Sequence, residues 1–118
     1  MTGSKKRDKR KHHRIKFDGD VTLHPVMLSR SDNVLEVQSQ SISAKGNDIS
    51  EEGLKLEIGD TRSPGDILKV KFAVQKFKSV DAYGKLTWKK GKYCGLHFFI
   101  LDSDSRGQIR EYIDKQNK

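Results

Sequence analysis

From Asp66 onward, apolar residues occupy every second position, and no other feature narrows the possible folds as far. Leu68, Val70, Phe72 and Val74 alternate with Ile67, Lys69, Lys71 and Ala73. Residues two apart share one face of a strand, whereas one face of a helix repeats at three and four. Val80, Ala82, Gly84, Leu86 and Trp88 then alternate with Asp81, Tyr83, Lys85, Thr87 and Lys89, and Gly91 turns the chain into a returning segment, Tyr93 to Leu101. These last two segments form a β-hairpin. Upstream, strands are expected at Phe17 to Leu23, at a polar stretch from roughly Leu35 to Asp48 with a bulge at Gly46, and at Leu54 to Ile58. Thr61-Arg62-Ser63-Pro64-Gly65-Asp66 has the composition of a turn. Short strands joined by tight connections pair antiparallel, so the fold class is all-β, a small barrel or sandwich.

The period changes once. Asp102, Ser103 and Asp104 offer capping oxygens, and Ile109, Tyr112 and Ile113 follow at helical spacing. One amphipathic helix is therefore expected at about 102–116, plugging or flanking the barrel. The chain has 118 residues, of which 29 are Leu, Ile, Val or Phe, enough for a single modest core. Its longest apolar run, Leu96 to Leu101 with His97 inside it, is far below the ~18 residues a membrane-spanning helix requires. The N-terminus is charged rather than hydrophobic, so no secretory signal and no membrane insertion are expected. A single cysteine, Cys94, supports neither an internal disulfide nor a cysteine-rich metal site, and a reducing, cytoplasmic setting is the expectation.

The chain holds 24 Lys and Arg against 16 Asp and Glu, a formal net charge of +8. Most of the excess sits at one end. Residues 1–16 contain eight basic side chains and one acid, Asp8, which leaves a single net charge for the other 102 residues. Residues 1–9 offer almost nothing apolar to bury and are expected to form a flexible basic arm on a domain spanning residues 10–118. Such an arm either solubilises the protein or holds phosphates.

Two short motifs flank the first part of the barrel. Arg10 and Arg14 are four apart, a spacing that puts both guanidinium groups on one side in a strand or a helix. Arg106 and Arg110 repeat the spacing within the expected helix, where a solvated basic face accounts for it. Asp48-Ile49-Ser50-Glu51-Glu52-Gly53 lies between two expected strands. On local grounds it is a hairpin turn in which Asp48 and Ser50 bond nearby backbone and Gly53 takes positive φ. The same residues can also do chemistry. An Arg guanidinium donates two parallel hydrogen bonds to the O6 and N7 edge of guanine or pairs with phosphate. A carboxylate such as Asp48 accepts from guanine N1 and its exocyclic amine, Ser50 reaches a base or phosphate, and Gly53 lets a backbone approach closely. Together they suit a guanine nucleotide with more than one phosphate.

Arg10-x-x-x-Arg14, then Asp48-x-Ser50-x-x-Gly53, then a strand ending Leu86-Thr87-Trp88 and a returning Tyr93-Cys94-Gly95-Leu96-His97-Phe98 resemble the PilZ domain. The resemblance covers about residues 7–115. It implies a six-stranded antiparallel β-barrel, cyclic di-GMP as the ligand, and no cofactor. It further implies that Arg10 and Arg14 contact guanine and phosphate, Asp48 and Ser50 the guanine edge, and Gly53 the turn. Trp88 matches an aromatic that lies near the ligand in some members; packing in the core at the barrel end is the equal alternative. Lys9, Lys11 and Lys89 are candidates for further phosphate contacts. The expected mechanism is ordering rather than catalysis: the arm closes over the ligand at the barrel mouth and alters the interaction with a downstream protein.

Two rivals belong to other classes. A basic arm on a small β-barrel also suits single-stranded nucleic acid, which requires aromatic side chains along an exposed sheet face, and the chain has few. A degenerate PilZ scaffold would lack the arginines or Asp48, and they are present. His12 and His13 lack ligand partners at metal spacing, His24 and His97 stand isolated, and Cys94 in an alternating strand is read as packing. No arrangement of Ser, His and Asp, and no phosphate loop, points to an enzyme.

Overall fold

Among the described residues the alternation produces eight strands: β1 (Ile15–Lys16), β2 (Asp20–Ser29), β3 (Val34–Val37), β4 (Ile42–Ser50), β5 (Gly53–Ile58), β6 (Ile67–Gln75), β7 (Lys78–Lys90) and β8 (Tyr93–Leu101), followed by α1 (Ser103–Gln116). This computed structural model describes residues 14–29, 34–59, 62–75 and 78–116. Arg10, Lys9, Lys11 and the basic arm lie outside the described residues.

Six of the strands close on themselves. The antiparallel order β4-β5-β8-β7-β6-β2 returns to β4 because β2 pairs on both edges, Val21 with Phe72 of β6 and with Ala44 of β4. Closure leaves no edge along that stretch. β1 and β3 are short additions, on β4 and on the far end of β2. Inward residues of all six barrel strands supply the core, with Leu23, Ile49, Leu54, Leu56, Leu68, Val70, Val80 and Leu86 essentially inaccessible to solvent. Burying each such side chain is worth ~1.5–3 kcal/mol.

Two strand boundaries differ from the sequence reading. The first barrel strand begins at Asp20 rather than Phe17 and runs through Pro25, whose carbonyl accepts from the Gln38 amide at 2.9 Å. Phe17 is instead a buried plug: its ring meets Phe72 at 5.5 Å and Tyr112 of α1 at 6.0 Å, both edge-on. The expected polar strand from Leu35 to Asp48 is two strands, β3 and β4, interrupted at 38–41. The register of β4 shifts between Gly46 and Asp48, with Asn47 as the extra residue. The spare Asn47 carbonyl accepts from the Phe17 amide at 3.0 Å, and the Phe17 ring occupies the space a Cβ on Gly46 would need, 2.4 Å away.

The turns follow their composition. Gly65 and Gly91 take positive φ, 100° and 61°, and Asp66 accepts from the Ser63 amide at 3.0 Å. Asp102 caps α1 by accepting from the Ser105 amide at 2.7 Å. Ile109 and Ile113 are buried, and α1 packs against β4, β6 and β7. Ser105 joins helix to sheet: its hydroxyl accepts from the Asp81 amide and donates to the Asp81 carbonyl, satisfying backbone just beyond the last β7–β8 pair, Ala82 with Leu101. No helix among the described residues is long and apolar enough to cross a membrane.

Two further bulges decide what faces outward. Leu86 pairs with Leu96 and Trp88 with Gly95, so Thr87 is an unpaired extra residue in β7. Tyr83 pairs with Ile100 and Gly84 with Phe98, so Phe99 is the extra residue in β8. One inserted residue reverses the alternation beyond it. Trp88, in phase with the core residues Val80 to Leu86 by count, is turned outward and is 40% exposed.

Candidate functional site

The two-residue ladder of β1 builds the site. Ile15 pairs with Ile49 and Lys16 with Asp48, so Arg14, one residue earlier, arrives beside Ser50. Its Nη1–H donates to Ser50 Oγ at 3.3 Å, and its Nε lies 2.9 Å from Asp48 Oδ1. That carboxylate oxygen is hidden from solvent and accepts no well-aligned hydrogen bond among the described residues, because the Arg14 N–H does not point along the contact. Ser50, 2% exposed, also accepts from the Glu52 amide at 3.1 Å, which fixes the Ser50–Gly53 turn.

Gly53 does not take positive φ. Its necessity is close approach: a Cβ there would stand 2.0 Å from the Leu96 carbonyl oxygen of β8. Gly95 serves the neighbouring register in the same way, because a Cβ on it would meet Trp88 Nε1 at 2.0 Å, so the indole lies directly on the glycine backbone.

Two recesses adjoin, and Arg14 belongs to both. The larger, about 540 Å³, is lined by Arg14 to Asp18, by Lys45 to Asp48, and by Lys55 and Glu57. Its basic and acidic walls partly neutralise one another, as where Lys45 Nζ meets Asp18 at 3.5 Å. The smaller, about 230 Å³, is lined by Arg14, Glu52, Gly53, Thr87, Trp88, Gly95, Leu96 and His97. The first has the size range of small-molecule sites, and the second opens beside it with an aromatic wall.

The C-terminal helix holds the site from behind. Arg110 donates through Nε and Nη2 to the two oxygens of Glu51, at 3.3 and 3.0 Å, and this carboxylate raises the guanidinium's pKa first by hydrogen bonding and then by charge. Tyr112 donates from its hydroxyl to the Lys16 carbonyl at 3.2 Å. Desolvation by burial, and secondarily the Asp18 charge, raises the Tyr112 pKa. Arg110 therefore stands on the solvated face of the helix and is also tied to the turn. Lys89 lines neither recess; it lies across the register from Cys94, whose thiol pKa is raised by burial and partly lowered by Lys89.

A comparison with protein families matches the PilZ domain over residues 8–115. The chain belongs to the PilZ family. That family consists of receptors for cyclic di-GMP that act as binding modules. Among solved structures, the chain is similar to the inhibitor of motility MotI/DgrA of Bacillus subtilis, with 14% identity, a TM-score of 0.68, and coverage of 92% of this chain and 51% of that one. It is also similar to the PilZ domain of CeSA from a cellulose-synthesizing bacterium, with 10% identity, a TM-score of 0.62, and coverage of 90% and 99%. The chain spans about half the length of the Bacillus subtilis protein. No curated protein matched.

Within this PilZ domain the structure brings Arg14, Asp48, Ser50, Gly53 and Trp88 to one place. Of the alternatives for Trp88, burial in the core does not hold, because the Thr87 bulge turns the indole out. His97, isolated in sequence, lines the smaller recess because β5 and β8 pair it with Gly53. Thr87 joins through the bulge, its hydroxyl donating to the Gly95 carbonyl at 3.3 Å. A register assignment for the β5–β8 pair would have found His97; nothing in the local sequence marks the bulge. Among the described residues no group of His, Cys, Asp and Glu could hold a metal ion.

Proposed function

We propose that this PilZ domain is a cyclic di-GMP receptor whose ligand seats across the two recesses beside Arg14. The observation that carries the reading is the joint contact of Arg14 with Asp48 and Ser50, which unites two motifs 34 residues apart at the mouth of the recesses. Among the described residues Asp48 Oδ1 is an acceptor without an aligned donor, and the N1–H and amine edge of guanine supplies two donors. Arg14 then turns from its acid to guanine or phosphate, with Trp88 and Gly53 bounding the base. Arg10 adds a second guanidinium, and Lys9 and Lys11 add charge toward the phosphates. Lys89 is left as a peripheral contributor.

Ordering the basic arm, residues 1–9, over the ligand would cost ~1–2 kcal/mol per residue in backbone entropy, so only several charge-assisted bonds formed together offset it. The ordered arm presents a new surface to a downstream protein. Calorimetry and amide NMR with cyclic di-GMP, beside GTP and a single-stranded oligonucleotide, test the reading. Saturable binding of cyclic di-GMP alone, with shifts at residues 9–15 and 48–53 and loss in Arg14→Ala and Asp48→Ala, is expected. Equal binding by all variants, or preference for the oligonucleotide, overturns it.

A further inference from the structure

The Phe99 bulge exposes what an uninterrupted β8 would hide. Phe98 points inward and Phe99 outward, and the extra residue leaves Ile100 outward as well, so two consecutive large apolar side chains stand 46% exposed each. Tyr83 lies opposite Ile100 and places its ring 6.5 Å from that of Phe99, making one continuous apolar surface on the outside of β7 and β8. A bulge gives up ladder pairing to re-aim side chains, and here the residues re-aimed are ones that water disfavours.

The rim of this surface is basic. Lys69 reaches over the Tyr83 ring at 6.0 Å, and Lys85 follows Tyr83 on the same face of β7. Lys71 is balanced by Asp81 at 4.0 Å, and the next acid along the chain from Ile100, Asp102, is engaged in capping α1. Among the described residues neither Lys69 nor Lys85 is paired with a carboxylate, so both add positive charge beside Tyr83, Phe99 and Ile100.

We propose that this face is the docking surface for another protein, one that presents an apolar side chain flanked by carboxylates. The charge selects against occupants from the chain itself. Residues 1–16 carry seven net positive charges, and a second copy brings the same lysines to its own face, so both are repelled from the rim. The face also adjoins the ligand site: the Phe98 amide donates to the Glu52 carbonyl at 2.8 Å, so a partner seated on Phe99 lies one residue from the turn that holds Ser50 and Gly53. The docking surface does not depend on which ligand that site takes.

The test places a photo-crosslinking amino acid at position 99 of the full chain in its native host, with position 43 on another strand as the control. The adduct is expected to be a protein, joined through a segment in which carboxylates neighbour an apolar residue. That segment, synthesised as a peptide, should bind the purified chain and lose about tenfold or more in affinity against Phe99→Ser/Ile100→Ser and against Lys69→Glu/Lys85→Glu. Replacing the peptide's acids with lysines should restore binding to Lys69→Glu/Lys85→Glu. Phe99, Ile100 and Lys85 are exposed and Lys69 is half-buried, and unchanged melting of the variants establishes that they fold. No adduct at position 99, an adduct to nucleic acid or to a second copy, or peptide binding indifferent to Lys69→Glu/Lys85→Glu overturns the proposal.

Discussion

Arg110 and Glu51, 59 residues apart, form a two-point ion pair that binds the C-terminal helix to the turn between β4 and β5. Because the turn also carries Ser50 and Gly53, the helix sets how freely the candidate site moves. The guanidinium is open to solvent, which screens the pair, so its role is positional rather than a large part of fold stability. Arg110→Ala should leave circular dichroism and melting nearly unchanged. Amide hydrogen exchange at Glu52 and Gly53 should become faster, and unchanged exchange there would refute the tether.

Gly53→Ala and Gly95→Ala place a methyl group equally close to a neighbour, but the neighbours differ. At Gly53 the obstacle is the Leu96 carbonyl, which moves only if β5 and β8 separate; at Gly95 it is the Trp88 indole, which swings out. Gly53→Ala should lower stability by ~1–3 kcal/mol in urea unfolding. Gly95→Ala should cost less and shift Trp88 fluorescence to the red as the ring enters water.

Phe17 joins the segment after Arg14 to both β6 and α1 through its contacts with Phe72 and Tyr112. Phe17→Ala empties that junction and should destabilise the domain by ~3–5 kcal/mol, read as a lower urea midpoint. Tyr112→Phe removes only the hydrogen bond to Lys16 and should cost ~1 kcal/mol.

Cys94 is fully buried and its thiol pKa is raised, above all by desolvation, so the thiolate that alkylating agents require is scarce at pH 8. Iodoacetamide should label the folded protein far more slowly than the urea-unfolded chain. Labelling should rise with pH. Lys89 favours the thiolate, so Lys89→Gln should slow labelling of the folded protein further.

The strands from Gly53 onward, the turns at Gly65 and Gly91 and the helix behind Asp102 were legible in the chain because each is a local consequence of side-chain period, backbone freedom or capping. The motif positions were legible for the same reason, as short spacings of chemically apt residues. Trp88 and Ile100 were not, since alternation assumes unbroken pairing and one spare residue at Thr87 or Phe99 inverts the facing of the residues beyond it. Nor could local pattern show that β2 closes the barrel by pairing on both edges, that β1 brings Arg14 against Asp48, or that Arg110 spans to Glu51. Those relationships are set by register between segments distant in sequence, and register is settled only when all strands pack around one core.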